Sequence, residues 1–391
     1  MKPAMTALFI DQQESLSRLC EQLSDSEFIA VDTEFMREHT YFPQLALIQL
    51  GNGEVTACID PLAIQDFGPL KALLIDPSIT KVFHAAGQDM EVFYYLFGEL
   101  PTPVYDTQVA ATLQGLGDQI GYANLVQEML GVELDKSHTR TNWLQRPLSD
   151  SQIRYAEDDA RYLAQIYPMQ RRQLEQQGRL EWLNDDFQQI SDPARFRPDL
   201  NTLWQRIKGN NKLKGVQLAI LQKLAAWREQ RAMDRDIPRR RAAADNVLLD
   251  ISRLRPKNIQ ALGRIRGIPE SLVNKHGKTL LQCVADAENS DRATWPQLNR
   301  PKRLDAKQDA LVDVLSAIIK LNAQQHQINF STLTSRKDLE NMVRGERDLP
   351  ILQGWRLHHG GEQLISFLNG ENSLQIVNHH LTLTSNPHKQ N

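Results

Sequence analysis

The sequence predicts an α/β domain with a mixed sheet, followed by an all-α region. Three observations lead to this expectation, the first two for the fold class and the third for the division into two halves. Apolar, β-branched runs alternate with helical patterns through the first half of the 391-residue chain. From residue 215 onward no strand pattern is convincing and helical periodicity dominates. The two halves also differ in charge, because residues 1–200 carry a net charge of −15 and residues 201–391 a net charge of +12.

The strands and helices of the first half follow from local patterns. The expected strands are 27–35, 44–50, 54–60, 81–86 and an extended segment from 104. The glycine turn at 51–53 is typical of a hairpin. Helices are expected over 66–75, 89–98 and most of 120–177, where Pro168 should kink or end a helix. A meander followed by strands that alternate with helices favours a mixed sheet flanked by helices.

The second half contains a weak internal repeat. A shift of 91 residues aligns Leu224 with Leu315 and Leu248 with Leu339 without a gap. This match suggests two copies of one helical module, although two amphipathic helices can also match by chance. The predicted domains are 1–195 for the α/β domain, 212–290 for the first module and 304–380 for the second.

Composition and charge narrow the class of protein. There is no run of 18 apolar residues, and the N-terminus lacks the pattern of a secretory signal. Cys20, Cys58 and Cys283 are odd in number and widely spaced, which favours a reducing cytoplasm over a disulfide framework or a zinc site. A basic half is typical of nucleic-acid binding, although a solvated helical surface is an equal alternative.

The most informative residues are paired carboxylates. Asp32 and Glu34 lie two apart in an expected strand, so both side chains project from one face. Neighbouring carboxylates in an apolar strand repel each other, and a bound divalent cation would offset that cost. The alternative is an edge strand with solvated acids. Asp89 follows the strand 81–86 near the start of a helix, where interaction with the helix dipole is the more frequent role of an acid taken alone.

A fourth acid completes a candidate metal site. Tyr155 and Asp159 are four residues apart and share one helix face. Four carboxylates without a Cys or His cluster select Mg²⁺ or Mn²⁺ over zinc, and they can hold two such ions. Tyr155 would then hold and orient the attacking water, since a phenol is a poor base at neutral pH. Asp158 is an alternative ligand, but the four-residue spacing favours Asp159.

These motifs resemble a known family. VDTEF, HAAGQD and YAEDD match the three exonuclease motifs of the DEDD superfamily, in its tyrosine branch, and nearly the whole chain resembles the ribonuclease D family. The resemblance implies a ribonuclease-H-like domain with a mixed five-stranded sheet, then two helicase-and-RNase-D C-terminal (HRDC) modules. It also implies that Asp32, Glu34, Asp89 and Asp159 are the metal ligands, with Tyr155 positioning the water.

The implied activity is 3′→5′ exoribonuclease cleavage by two metal ions, releasing nucleoside 5′-monophosphates. The implied substrates are transfer-RNA precursors with a 3′ trailer, and no membrane partner is expected. The helical modules could be protein-docking surfaces and not RNA-binding ones, and two alternative functions of the whole chain also stay open at this point. One is a DNA-directed 3′→5′ exonuclease, because discrimination of the 2′-hydroxyl depends on pocket geometry. The other is a catalytically weak nucleic-acid-binding adaptor.

Further side chains are candidates for substrate contact. Arginines and lysines could contact phosphates, and aromatic or apolar side chains could pack against bases. For two of them a structural role is an equal alternative, since His84 could be a buried structural histidine and Trp143 could belong to the core. The candidates are Phe35, Met36, His84, Lys136, Arg140, Trp143, Arg239, Arg240 and Arg241.

Overall fold

A mixed sheet of six strands forms the centre of the N-terminal half. The computed structural model describes residues 6–135, 141–298 and 302–386. The strands are β1 (Thr6–Ile10), β2 (Phe28–Met36), β3 (Gln44–Gly51), β4 (Val55–Ile59), β5 (Thr80–Phe83) and β6 (Val104–Asp106). Their order is β1-β4-β3-β2-β5-β6, and β3 runs opposite to its two neighbours while the remaining pairs are parallel.

The mixed sheet is confirmed, but the expected count of five strands is wrong. The additional strand, β1, is a five-residue run at the sheet edge. Its partner β4 is buried along its whole length and pairs with it from Thr6↔Val55 to Ile10↔Ile59. A run this short carries little periodicity of its own. Its strand conformation depends on this non-local pairing, which the local pattern does not reveal.

Helices cover both faces of the sheet. These helices are α1 (Gln13–Leu23), α2 (Gly68–Ile75), α3 (Gly87–Phe97), α4 (Thr107–Leu113), α5 (Tyr122–Leu130), α6 (Asp150–Gln176) and α7 (Asn184–Ile190). Helix α6 begins with a capping box formed by Ser149 and Gln152, and it packs across β2, β3 and β4. It continues through Pro168, so of the two expected effects of this proline, a kink or an end, the helix does not end there. Packing against the sheet outweighs the one backbone bond that proline removes.

The C-terminal half is mainly helical. Its helices are α8 (Val216–Asp234), α9 (Arg239–Ala242), α10 (Asp245–Leu254), α11 (Ile259–Gly263), α12 (Glu270–Glu288), α13 (Ala306–Gln325), α14 (Phe330–Leu333), α15 (Arg336–Val343), α16 (Gly354–Arg356) and α17 (Glu362–Leu368). Helices α9 and α14 begin 91 residues apart, and so do α10 and α15. The helices therefore recur at the spacing of the sequence repeat. The domain limits 1–195, 212–290 and 304–380 stay a prediction.

A hairpin follows the last helix. Strands β7 (Asn372–Val377) and β8 (His380–Ser385) pair antiparallel, so the expectation of no strand after residue 215 is wrong. The side chains of Leu374 and Leu383 face each other across the hairpin and pack against the helical core. The sequence pattern that would predict this hairpin is weak, because among its residues only Leu374 and Leu383 are large apolar side chains that also contact the core.

Within the described residues, no helix is both long enough and apolar enough to cross a membrane.

The helical half contributes to two different cores. Helices α8, α10 and α12 enclose a core of their own, which includes Leu221, Leu248 and Leu280. Helix α13 and its successors instead share a core with the sheet domain, where Leu315 belongs to the same buried cluster as Tyr167 of α6. The second half of the helical region is thus packed directly onto the N-terminal domain.

Candidate active site

Three carboxylates meet where α6 crosses β2. Asp32 and Glu34 project from the same face of β2, as their spacing predicts, and Asp159 approaches from α6. Carboxylate oxygens of the three residues lie within 4.8 Å of one another. All three side chains are half-buried. An all-oxygen set of this kind suits a hard divalent cation such as Mg²⁺ or Mn²⁺.

The raised pKa values of these carboxyl groups show that ionising them together is unfavourable unless a positive charge lies among them. Burial raises the pKa of Asp32 to about 6. Burial, together with the charges of Asp32 and Asp89, raises the pKa of Glu34 to about 9. The pKa of Asp159 is raised by burial and by the charges of Asp32 and Glu34. Each group therefore resists ionisation, and a cation held among them would reverse that preference.

Asp89 lies beside the cluster and is held separately. It is in the first turn of α3 and is buried, and its Oδ1 accepts a hydrogen bond of 2.5 Å from Thr33 Oγ1. Burial and the charge of Asp32 raise its pKa. The turn before α3 is fixed by Asp106, whose carboxylate accepts from the backbone amides of Ala85 and Ala86 at 3.1 and 2.8 Å. Asp89 is thus adjacent to the other three acids without belonging to their closest group.

Tyr155 lies one helical turn before Asp159, as its spacing predicts. Both residues line a cavity of about 540 Å³, together with Arg154 and Asp158. The two adjacent acids have different partners, because the Asp158 carboxylate pairs with Arg161 at 3.1 Å whereas the Asp159 carboxylate joins the cluster. The cavity is large enough for a nucleotide-sized group beside Asp159.

Two side chains near the carboxylate cluster, Tyr122 and His84, form hydrogen bonds that hold its surroundings in place. The Tyr122 hydroxyl donates to the backbone carbonyl of Asp159 and so fixes the turn of α6 that carries this carboxylate. His84 packs on the Tyr122 ring, and its Nε2 donates to the Ile120 carbonyl at 3.0 Å while its Nδ1 contacts Thr107 Oγ1. Burial lowers the pKa of His84. These contacts favour the structural alternative for His84. Tyr122 was missed because it lies 37 residues from Asp159 and no local spacing links them.

The other predicted substrate contacts have different outcomes. Trp143 is only 3% exposed and packs behind Tyr155 with ring centroids 6.0 Å apart, so it is a core residue and not a base-stacking platform. Phe35 and Met36 are half-buried at the end of β2, next to the cluster. Lys136 and Arg140 lie outside the described residues.

The three arginines at the start of α9 have different surroundings. Arg239 donates to both carboxylate oxygens of Glu229 at 2.6 and 2.5 Å and contacts the Tyr41 hydroxyl at 3.1 Å. It therefore joins α8 to the β2–β3 loop, and its guanidinium is already occupied. Arg240 and Arg241 are exposed, and neither forms an ion pair with a described residue. Arg240 lines a second cavity of about 580 Å³ with Arg206.

Comparison with known proteins decides the family. A 3′-5′ exonuclease family model matches residues 8–175, and an HRDC domain model matches residues 217–284. Ribonuclease D of Gluconacetobacter diazotrophicus is 39% identical over 94% of this chain and 94% of its own length. The chain belongs to the ribonuclease D family. Ribonuclease D of Pseudomonas paraeruginosa is 35% identical, over 92% of this chain and 97% of its own length.

A solved relative agrees with this assignment. The structure of Escherichia coli RNase D, described as an exoribonuclease involved in structured RNA processing, superposes with a TM-score of 0.83 at 36% identity. The match covers 94% of this chain and 99% of that chain. This member of the ribonuclease D family is accordingly a 3′→5′ exoribonuclease. Its acidic cluster and exonuclease fold are consistent with divalent metal binding.

Proposed function

We propose that Asp32, Glu34, Asp89 and Asp159 hold two divalent cations, Mg²⁺ or Mn²⁺, at the 3′ end of a bound RNA. The observation that carries this proposal is the approach of three carboxylates within 4.8 Å in surroundings that raise their pKa values. When bound, the cations would offset this repulsion, activate a water for attack on phosphorus and stabilise the departing oxygen.

The chain's own residues orient the reaction. Tyr155 projects into the cavity beside Asp159, where its hydroxyl positions the attacking water. Water adds across the last P–O3′ bond. A nucleoside 5′-monophosphate leaves, and the shortened RNA keeps a 3′-hydroxyl that can enter the next cycle. Phe35 and Met36 lie at the end of the catalytic strand, where they can pack against the terminal bases.

The basic helical half supplies affinity for the RNA backbone in this proposal. The acidic N-terminal half repels a polyanion, whereas residues 201–391 carry a net charge of +12. Arg206 and Arg240 are the candidate phosphate contacts, because they line one cavity and form no ion pair with a described residue. Arg239 is excluded from this role by its bonds to Glu229.

The proposed substrates are transfer-RNA precursors with a 3′ trailer, processed in the cytoplasm. All three cysteines are free, and Cys20 and Cys58 are buried, which suits a reducing compartment. Such an RNA has a structured body and a single-stranded 3′ end. The body suits the basic helical half, and the single-stranded end suits the small cavity beside Asp159.

The decisive experiment follows 5′-labelled RNA with a free 3′-hydroxyl in Mg²⁺. The wild-type protein should produce a ladder that shortens from the 3′ end. The ladder should be absent in EDTA and with Asp159→Asn, which keeps the side-chain shape but removes the charge. Asp158→Asn is the matched control and should retain activity, because its carboxylate faces Arg161. Full activity of Asp159→Asn would exclude the proposed site.

A second experiment tests the role of the basic half. The full-length Arg206→Gln/Arg240→Gln variant should bind RNA more weakly, and the slope of log affinity against log salt should fall by about one for each phosphate that an arginine no longer neutralises. Arg264→Gln/Arg266→Gln removes the same charge from exposed positions outside the cavity and is the control. Equal salt slopes for the two variants would refute the assignment of these phosphate-binding residues.

A further inference from the structure

A buried amide under α6 has no partner. Gln49 lies in β3 and is fully buried, and neither its Oε1 nor its Nε2 has a hydrogen-bond partner among the described residues. Leaving a buried polar group unpaired costs about 1–3 kcal/mol. A sequence that only needed to fill this space would place an apolar side chain here, so the amide calls for an explanation.

The strand register places this amide beside the metal site. Gln49 is the direct cross-strand neighbour of Asp32 in the β2–β3 pair. Directly opposed residues project from the same face of a sheet, with their Cβ atoms about 4.5–5.5 Å apart. That face is covered by α6, the helix that carries Asp159. Two residues further along β3, a Cβ added at Gly51 would lie only 3.1 Å from the Ala160 carbonyl oxygen. The Gln49 amide is therefore enclosed between the Asp32 strand and α6.

We propose that Gln49 is a positioning residue for Asp32. Its Nε2–H donates to the Asp32 carboxylate in the ionised form that binds a cation, and so fixes the orientation of that carboxylate. This inference rests on the proposed function, in which Asp32 is a metal ligand. An ionised carboxylate is a stronger acceptor than a neutral one, which favours this pairing in the metal-bound protein. Asp89 already shows the same principle, since Thr33 donates to it at 2.5 Å.

The test separates metal affinity from stability. Gln49→Met keeps the length of the side chain and removes the amide. In the full-length protein, Mn²⁺ binding followed by electron paramagnetic resonance of the free ion should weaken about 10- to 100-fold, as for other residues that orient metal ligands. The free energy of unfolding in EDTA should stay equal or increase, because an unpaired amide has been removed. Saturating Mn²⁺ should restore most of the RNA cleavage rate.

Thr56→Val is the matched control. The Thr56 hydroxyl is also buried and without a described partner, but Thr56 lies on β4 opposite Gly51 and not opposite Asp32. Its metal affinity should equal that of the wild type. If Gln49→Met does not fold, Gln49→Leu serves instead, since it also removes the amide and adds no charge.

The outcomes distinguish this inference from the function it rests on. Wild-type affinity for Mn²⁺ in the Gln49 variant that folds, with RNA cleavage intact, overturns the role of Gln49 alone. Equal losses in Thr56→Val and Gln49→Met overturn it as well, because the effect would then be a general one of the buried face. A wild-type protein that neither binds Mn²⁺ nor cleaves RNA overturns the metal site itself, and the positioning role with it.

Discussion

Without divalent cations, the folded protein should become less stable as the pH rises through neutrality. The pKa of Glu34 is about 9 in the folded protein, well above its ordinary value of 4.5. At pH 7 the folded state therefore keeps a proton on Glu34 that the unfolded state has lost. A group whose pKa is raised by folding contributes stability at low pH and loses it as the pH rises towards the folded-state pKa. Asp32 adds the same tendency at the acidic end, because its pKa rises from 3.8 to about 6.

The magnitude follows from proton linkage. Each proton bound only by the folded state changes the free energy of unfolding by about 1.4 kcal/mol per pH unit. For the proton on Glu34 alone, an increase from pH 6 to pH 8 should therefore cost on the order of 3 kcal/mol. Saturating Mg²⁺ should remove this loss, because cation binding favours the ionised carboxylates and releases the proton.

The assay is denaturant unfolding in EDTA and in Mg²⁺, at several pH values between 5 and 9. Glu34→Gln should make the slope in EDTA shallower by about 1.4 kcal/mol per pH unit. Glu99→Gln is the control, because Glu99 pairs with Lys71 at the surface and should not affect the slope. A wild-type stability that is flat or rising from pH 6 to pH 8 in EDTA would refute the reasoning.

Three further substitutions test other contacts. Tyr155→Phe should lower the cleavage rate constant about 100-fold in single-turnover assays with unchanged RNA affinity, and a wild-type rate would remove Tyr155 from the mechanism. Tyr41→Phe should cost about 1.5–3 kcal/mol in chemical unfolding, because its hydroxyl bonds the charged Glu229. Tyr95→Phe is the matched control and should cost about 0.5–1.5 kcal/mol, since its hydroxyl donates to a neutral carbonyl; equal costs would contradict the assignment. Gly51→Ala should cost about 1–3 kcal/mol, because the added methyl group meets the backbone of α6, and a neutral effect in thermal unfolding would show that α6 can shift.

The sequence predicted those parts of the site that depend on local geometry. Asp32 and Glu34 share a face because side chains in a strand alternate, and Tyr155 and Asp159 share a face because a helix repeats every 3.6 residues. The position of Asp89 relative to them depends on how α3 packs, and no spacing specifies its bond to Thr33.

Residues with non-local partners were the ones that local patterns misjudged. Arg239 stands in an exposed arginine run typical of phosphate binding, yet its partners are Glu229 and Tyr41, the latter 198 residues away. Trp143 was a candidate for packing against a base, and nothing in its local sequence indicates that the indole packs against Tyr155. Strand β1 was missed for the same reason, because its partner β4 is distant in the sequence.

The core shared between the sheet domain and the last helices has a consequence for protein synthesis. Tyr105 and Tyr167 leave the ribosome long before Leu315 and Trp355, which belong to the same buried cluster. The nascent N-terminal half therefore carries an uncovered apolar surface until the C-terminal helices have been synthesised. Chains that terminate early keep that surface exposed and become targets for chaperones and proteases. The C-terminal helices therefore complete the core of the sheet domain as well as their own, because they cover apolar side chains that the sheet domain does not bury by itself.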